Sequence, residues 1–300
     1  MANVILSEAE KLFIVHGVEQ DCRNDGRTNT DYREFSVETG VVSSSNGSAR
    51  VKVEGNTDVL VGVKVELDSP DIKTPDQGRI DFFVDCSALA SPRFEGREGK
   101  ELGTDIYNVL NSVYCQGATA VSNLSKLCIV AGKHCWLLNI DIVILECSAG
   151  SLYDIISLAV KAALFDTQIP SVEYDSESEE IHVMSDMNEC MDQTEWFNFE
   201  LCPLLVTVSK IGSSSSQSAH VVDATIEEEA CSTSQIVMGV DTKGRVSGCR
   251  KYGTHSLSFS SFATMMDLGT KTAKELHDRL KQQLIAYQQS LNSALTLMDI

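Results

Sequence analysis

The sequence predicts an α+β fold built from two related β-α halves. Three observations carry that expectation. The order of elements runs strands, helix, strands, helix, and then strands and a helix again. Ile169-Pro170 interrupts this order near its middle, because proline does not continue a helix. With 43% hydrophobic and 22% charged residues, the composition is that of a packed globular chain. The expected division is residues 1–168 and residues 169–300.

Ser7-Glu8-Ala9-Glu10 reads as a capping box that starts a helix reaching about Gln20. Strands are expected at Tyr32 to Val42, Ala49 to Glu54, Thr57 to Leu67 and Arg79 to Cys86, with turns at Asn46-Gly47 and Gly55-Asn56. In the third, Val61, Val63, Val65 and Leu67 share an inward face, and Lys64 and Glu66 lie opposite. A helix from about Lys100 to Tyr114 carries an apolar stripe of Leu102, Ile106, Val109, Leu110 and Val113. Leu127 to Ala131 is a short strand. Cys135 to Glu146 is apolar enough on both faces for a central one, and Asp141 within it needs a partner if buried. Leu152 to Phe165 is a helix rich in Ala, Ile and Leu.

In the second half, the acidic segment 173–195 carries nine acids and no Lys or Arg, and reads as a solvated loop around a hairpin. Leu204 to Ile211 and Val221 to Asp223 are strands on either side of a serine-rich loop, 212–218. Glu227-Glu228-Glu229 reads as a solvated acidic turn or a subunit contact. Ile236 to Val240 and Arg245 to Lys251 form a small meander. Ser258 or Ser260 caps a last helical region, Phe262 to about Leu297, in two pieces around Gly269.

Charge narrows the functional classes. Lys and Arg number 24 against 43 Asp and Glu, a net charge of −19, which opposes strong solitary binding to RNA or DNA. No apolar run approaches the roughly 20 residues of a membrane span, and the start of the chain has no basic region of the kind a secretory signal carries. The ten cysteines are therefore expected as reduced thiols, most of them small hydrophobes in the core. No Cys-x-x-Cys, His-x-x-x-His or glycine-rich phosphate loop is present, so neither a metal site nor a cofactor is expected.

One set of motifs is informative in combination. Arg23-Asn24-Asp25-Gly26-Arg27, Arg33, Gly47-Ser48-Ala49-Arg50-Val51 and Gly55-Asn56-Thr57 follow one another in order. Phe94-Glu95-Gly96-Arg97 then precedes a helix, and Ser151-Leu152-Tyr153-Asp154 leads into another. Val221-Val222-Asp223-Ala224-Thr225 runs into Glu227-Glu228-Glu229. This series resembles the RNase PH family, to which the ring subunits of the eukaryotic RNA exosome belong. The resemblance implies an RNase PH-like fold, two related βαβα halves with mixed sheets and packed helices, and assembly with other RNase PH-like ring subunits around an RNA channel. It also implies S1/KH cap subunits on one face and RNA threaded through the ring. Roles in ribosomal RNA maturation and mRNA turnover follow, with nucleus, nucleolus and cytoplasm all consistent and no membrane association.

Active members of that family are phosphorolytic. They need a phosphate cradle, a cation for the anionic transition state and an acid for the leaving oxygen. The resemblance places the cradle, a Gly-Thr-Arg run in active members, at Gly150-Ser151-Leu152, and the acid before it at Cys147. Leu152 neither binds phosphate nor neutralises charge. A pair of family aspartates falls at Glu229 and Gln235, and Gln235 has no carboxyl proton to give. The chain is therefore expected to be non-catalytic. The alternatives are a 3′-to-5′ phosphorolytic exoribonuclease, or a donor of RNA-binding residues to a partner's active site. Arg93, Arg97 and Lys100 are the candidate RNA contacts, with ordinary solvated charge as the competing reading.

Overall fold

The computed structural model describes residues 5–54, 57–115, 124–148, 150–174, 181–183, 190–191, 196–212 and 219–298. Helix α1 (Glu8–Glu19) opens with the expected capping box: the Ser7 side chain accepts from the Glu10 N–H, and the Glu10 carboxylate accepts from the Ser7 N–H. Alternation of β-branched residues then builds a six-stranded sheet. Its strands are β1 (Phe35–Thr39), β2 (Gly47–Val53), β3 (Thr57–Asp68), β4 (Arg79–Asp85), β5 (Cys128–Val130) and β6 (His134–Cys147). The order is β1-β2-β3-β6-β4, with β5 also on β6. Only β4 runs parallel to its neighbour, and its crossover to β6 carries helix α2 (Arg97–Leu110).

Helix α3 (Leu152–Asp166) is apolar on nearly every side and packs between this sheet and a second one. A two-stranded hairpin, β7 (Val172–Tyr174) with β8 (Ile181–Val183), comes next. It supplies the hairpin expected in segment 173–195. The rest of that acidic stretch, residues 213–218 of the serine loop and the Gly55-Asn56 turn lie outside the described residues. The second sheet contains β9 (Leu204–Ile211), β10 (Ala219–Val222), β11 (Ser232–Val240) and β12 (Val246–Tyr252) in the antiparallel order β10-β9-β11-β12. Between β10 and β11 lies the short helix α4 (Ile226–Cys231), and the chain closes with α5 (Phe259–Met298). One apolar cluster joins both sheets through α3, from Val61 and Ile140 to Val206 and Leu276.

Several expectations are corrected. β1 is shorter than Tyr32 to Val42, because Tyr32 and Arg33 turn their side chains to buried acids instead of extending the ladder. On β3, Val61 and Val63 are fully buried but Leu67 is exposed, where the strand runs beyond the apolar cluster. Asp141 faces solvent and needs no buried partner. α2 begins at Arg97 and ends at Leu110, giving way to a π-turn over Asn111–Cys115. Of the cysteines, only Cys135 and Cys202 are buried; Cys22 and Cys249 are exposed and the others half-buried.

The acidic triplet is not a solvated turn. Thr225 and Glu228 form a capping box that makes it helix α4, with Glu228 buried. The last helix is one piece. A Cβ at Gly269 would lie 2.6 Å from Met238 Sδ, so the missing side chain admits the neighbouring strand while the helix continues. Ser258 Oγ accepts from the Ser261 N–H at its start.

Candidate functional site

The predicted phosphate cradle sits where β6 hands over to α3. Gly150 has φ +79° and Ser151 φ +50°, two successive left-handed residues. A Cβ at Gly150 would come within 2.5 Å of the Ala224 carbonyl oxygen. The turn is thus pressed against the segment leading into α4. Ser151 is consumed by that contact: its Oγ donates to Ala224 O at 3.2 Å, and its N–H donates to Glu229 Oε1 at 2.8 Å. A helix N-terminus attracts an anion through unpaired N–H groups and its dipole. Here the anion is the chain's own carboxylate. Leu152 is largely buried and belongs to the apolar cluster. The structure therefore brings Gly150, Ser151 and Glu229 together. Gln235 is half-buried on β11, with Ser209 and Tyr252 as its cross-strand neighbours.

Beside this turn is a knot that sequence reading did not find. Tyr153 and Tyr252 stack with ring centroids 5.5 Å apart. Both hydroxyls donate to Asp105 Oδ2 at 2.7 Å, and Arg250 pairs with the same carboxylate. The knot ties α2, the first turn of α3 and β12 together. The partners are far apart in sequence and share no local motif.

A second cluster is ionic and buried. Asp223, at φ +46°, accepts from Arg33 Nε at 2.8 Å and from the Arg33 N–H at 2.9 Å. Arg27 Nη1 reaches the same carboxylate at 2.8 Å. Arg23 pairs with Glu228 at 2.6 Å and 2.9 Å through two nitrogens, and donates to the Val222 and Asp223 carbonyls. Burial opposes the Asp223 charge, but hydrogen bonds and attraction from Arg33, then Arg27, hold its carboxyl below the usual range.

Asp154, in the first turn of α3, is also buried. It accepts from Tyr32 Oη at 2.9 Å, from Thr207 Oγ1 at 2.6 Å and from the Thr207 N–H at 3.1 Å. Burial outweighs those donors and pushes its pKa up to about 7 from 3.8. The folded state therefore holds this proton more tightly than the unfolded chain does. Its contribution to stability is fully present below the unfolded value and is lost as pH rises toward about 7. Subtracting the stability of Asp154→Asn from that of the parent should leave a difference that declines over this window and is flat above it. Urea unfolding at a series of pH values measures it. A pH-independent difference would show that Asp154 stays ionised.

The candidate RNA contacts lie on and just before α2. Arg97 is solvent-facing and pairs with Glu101 at 2.6 Å, and Lys100 is exposed beside a groove of about 690 Å³ that includes Phe83, Thr104 and Tyr107. Arg93 lies in the short turn Pro92–Phe94, and its side chain is outside the described residues. Among the described residues, no His, Cys, Asp and Glu converge as a metal-ligand set, and no helix is long and apolar enough to cross a membrane.

Comparison with known proteins places this architecture. Residues 31–170 match the model of the 3′ exoribonuclease family, domain 1, and residues 202–272 match domain 2. The chain belongs to the RNase PH family. It is 30% identical to the "Putative exosome complex exonuclease RRP42" of Dictyostelium discoideum, over 92% of this chain and 98% of that protein. It is also 30% identical to the "Exosome complex component Rrp42" of Methanothermobacter thermautotrophicus, covering 93% and 97% respectively. Its fold superposes on a chain of the Archaeoglobus fulgidus exosome with RNA bound to the active site. The TM-score is 0.72 at 26% identity, over 91% of this chain and 98% of that one.

The RNase PH motifs quoted from the sequence now have a physical reading. Arg23, Arg27 and Arg33 come from the opening motifs, and Asp223 and Glu228 from the later one. In space they are one ionic cluster that joins the N-terminal segment to the second sheet. With Asp25, which also pairs with Arg27, three carboxylates face the three guanidinium groups.

Proposed function

We propose that this chain is a non-catalytic ring subunit of an RNA exosome. It pairs with other RNase PH-like subunits and helps to form a channel for 3′-to-5′ RNA processing and degradation, including ribosomal RNA maturation and mRNA turnover. S1/KH caps and the threaded RNA complete the assembly, which acts in the nucleus, nucleolus and cytoplasm. The observation that carries this reading is the closed anion site. Glu229 already occupies the Ser151 N–H, and Leu152 packs into the core where active members of the family present an arginine. A phosphate arriving there would meet a carboxylate, and the Leu152 side chain offers it no charge.

Family membership and the exosome names of the relatives support the ring role. The net charge of −19 makes the positive surface for RNA a property of the assembled ring. Within it, Arg93, Arg97 and Lys100 remain this chain's candidate RNA contacts. The test is to incubate the purified chain with single-stranded RNA and inorganic phosphate and to weigh the native complex recovered from its own cells. The expected result is no nucleoside diphosphate from the chain alone, and a hetero-oligomer containing further RNase PH-like chains. Phosphate-dependent diphosphate release by the isolated chain would overturn the proposal.

A further inference from the structure

Cys128 and Cys135 face each other across a hairpin. Their Cα atoms are register partners on antiparallel β5 and β6, with a bulge just beyond Cys128. Directly opposed residues on such strands have Cα atoms about 4.5–5.5 Å apart and side chains on one face. A disulfide needs about 4.4–6.8 Å. Burial, then Asp68 and Cys128, raise the Cys135 thiol above its ordinary pKa, and burial, then Asp76, raises that of Cys128. Cys135 is buried, whereas Cys128 is half-buried and its Sγ–H makes only a weak 3.8 Å contact with the Pro75 carbonyl.

We propose that Cys128 and Cys135 form a reversible cross-strand disulfide that fastens the β5–β6 hairpin when the protein meets a small disulfide oxidant such as oxidised glutathione. The half-buried Cys128 reacts first. Its thiolate, having lost its proton to solvent, attacks one glutathione sulfur; the S–S bond of the oxidant breaks, and one glutathione leaves as a thiolate that takes up a proton. Cys135 then gives up its proton and attacks the Cys128 sulfur of the mixed disulfide, and the second glutathione leaves as a thiolate that takes up a proton. Two protein thiols are oxidised by two electrons, and one oxidised glutathione becomes two reduced molecules. Chain geometry favours closure over a lasting mixed disulfide, because the second thiol is already opposite the first.

The bond would act on a weakly held segment. β5 is three residues long and, among the described residues, its ladder partner is β6. Around it, Gly78 N–H donates to Leu124 O and Gly132 N–H to Pro75 O, which tie the hairpin to the loop before β4. Closure would hold residues 124–130 against the end of the central strand.

The full-length protein, equilibrated in oxidised and then reduced glutathione, is denatured in acid, alkylated and mapped by mass spectrometry. The expected result is a 128–135 linkage lacking two hydrogens, unlabelled at both cysteines, that reverts in reduced glutathione. Hydrogen exchange over 124–130 should slow in the oxidised form. Cys128→Ser should leave Cys135 labelled. Alkylation of both cysteines after oxidation, or glutathione retained on Cys128, would overturn the proposal in the parent protein without recourse to any variant.

Discussion

Asp223→Ala should destabilise the protein by about 3–5 kcal/mol, the usual cost of removing one partner from a buried ion cluster. The magnitude follows from what is left behind. Asp223 is fully buried, and Arg33 and Arg27 are 8% and 14% exposed as side chains. Without the carboxylate, the largely buried Arg33 loses the acid that takes its Nε, Nη2 and N–H, and Arg27 is left with Asp25 as its acid. Asp223→Asn should cost less, since its amide oxygen keeps one acceptor. As a contrast, Arg97→Ala breaks an ion pair whose side chains are 90% and 62% exposed. It should change stability by no more than about 0.5 kcal/mol. Urea unfolding of all three variants separates these cases. A loss under about 1 kcal/mol for Asp223→Ala would show that the cluster does not hold the two halves together. The pH dependence has the opposite sign to that of Asp154. The Asp223 carboxyl is held below the ordinary aspartate value of 3.8, so its contribution is present above that value and is lost as pH falls through the folded pKa.

This cluster also marks the limit of what was legible in the sequence. β9 runs from Leu204 to Ile211 as expected, because a short run of Leu, Val, Thr and Ile between turn signals leaves little choice. The capping box at Ser7 was equally local, with donor and acceptor three residues apart. The partners of Arg23 and Arg33 lie roughly two hundred residues away, and no periodicity links them. The acidic triplet shows the difficulty within a few residues. Glu227, Glu228 and Glu229 are chemically alike. Helical rotation sends one to solvent, buries the second against Arg23 and turns the third to Ser151. Reading them as one solvated turn averaged three different environments. Gly269 misled for a related reason. Glycine commonly ends a helix, but here it serves the packing of Met238, a contact only the tertiary fold supplies. Of the candidate site, Gly150, Ser151 and Leu152 could be named from the sequence, whereas the bond from the Ser151 N–H to Glu229 required two segments to meet.

That meeting point gives the second large effect. Gly150→Ala should destabilise the protein by about 3 kcal/mol, combining a left-handed backbone, worth about 1–2 kcal/mol, with the displacement of packed backbone, worth about 1–3 kcal/mol. The added Cβ would sit 2.5 Å from Ala224 O and 3.1 Å from the Thr225 carbonyl carbon. Neither is the end of a flexible side chain, so the turn and the α4 segment must separate. Separation would also break the Ser151 N–H to Glu229 bond and uncap α3. Gly132→Ala supplies the control. Gly132 has nearly the same φ, +76° against +79°, but nothing lies within 4 Å of its added Cβ. It should cost only the conformational part, about 1–2 kcal/mol. The difference between the two variants, read from urea midpoints at constant m-value, isolates the contact between the cradle and α4. Equal losses would mean that the turn can move away from Ala224 at no cost, and that Glu229 holds the Ser151 N–H only loosely. A larger loss at Gly150 would mean that the close contact between this turn and the α4 segment is part of what holds the fold together.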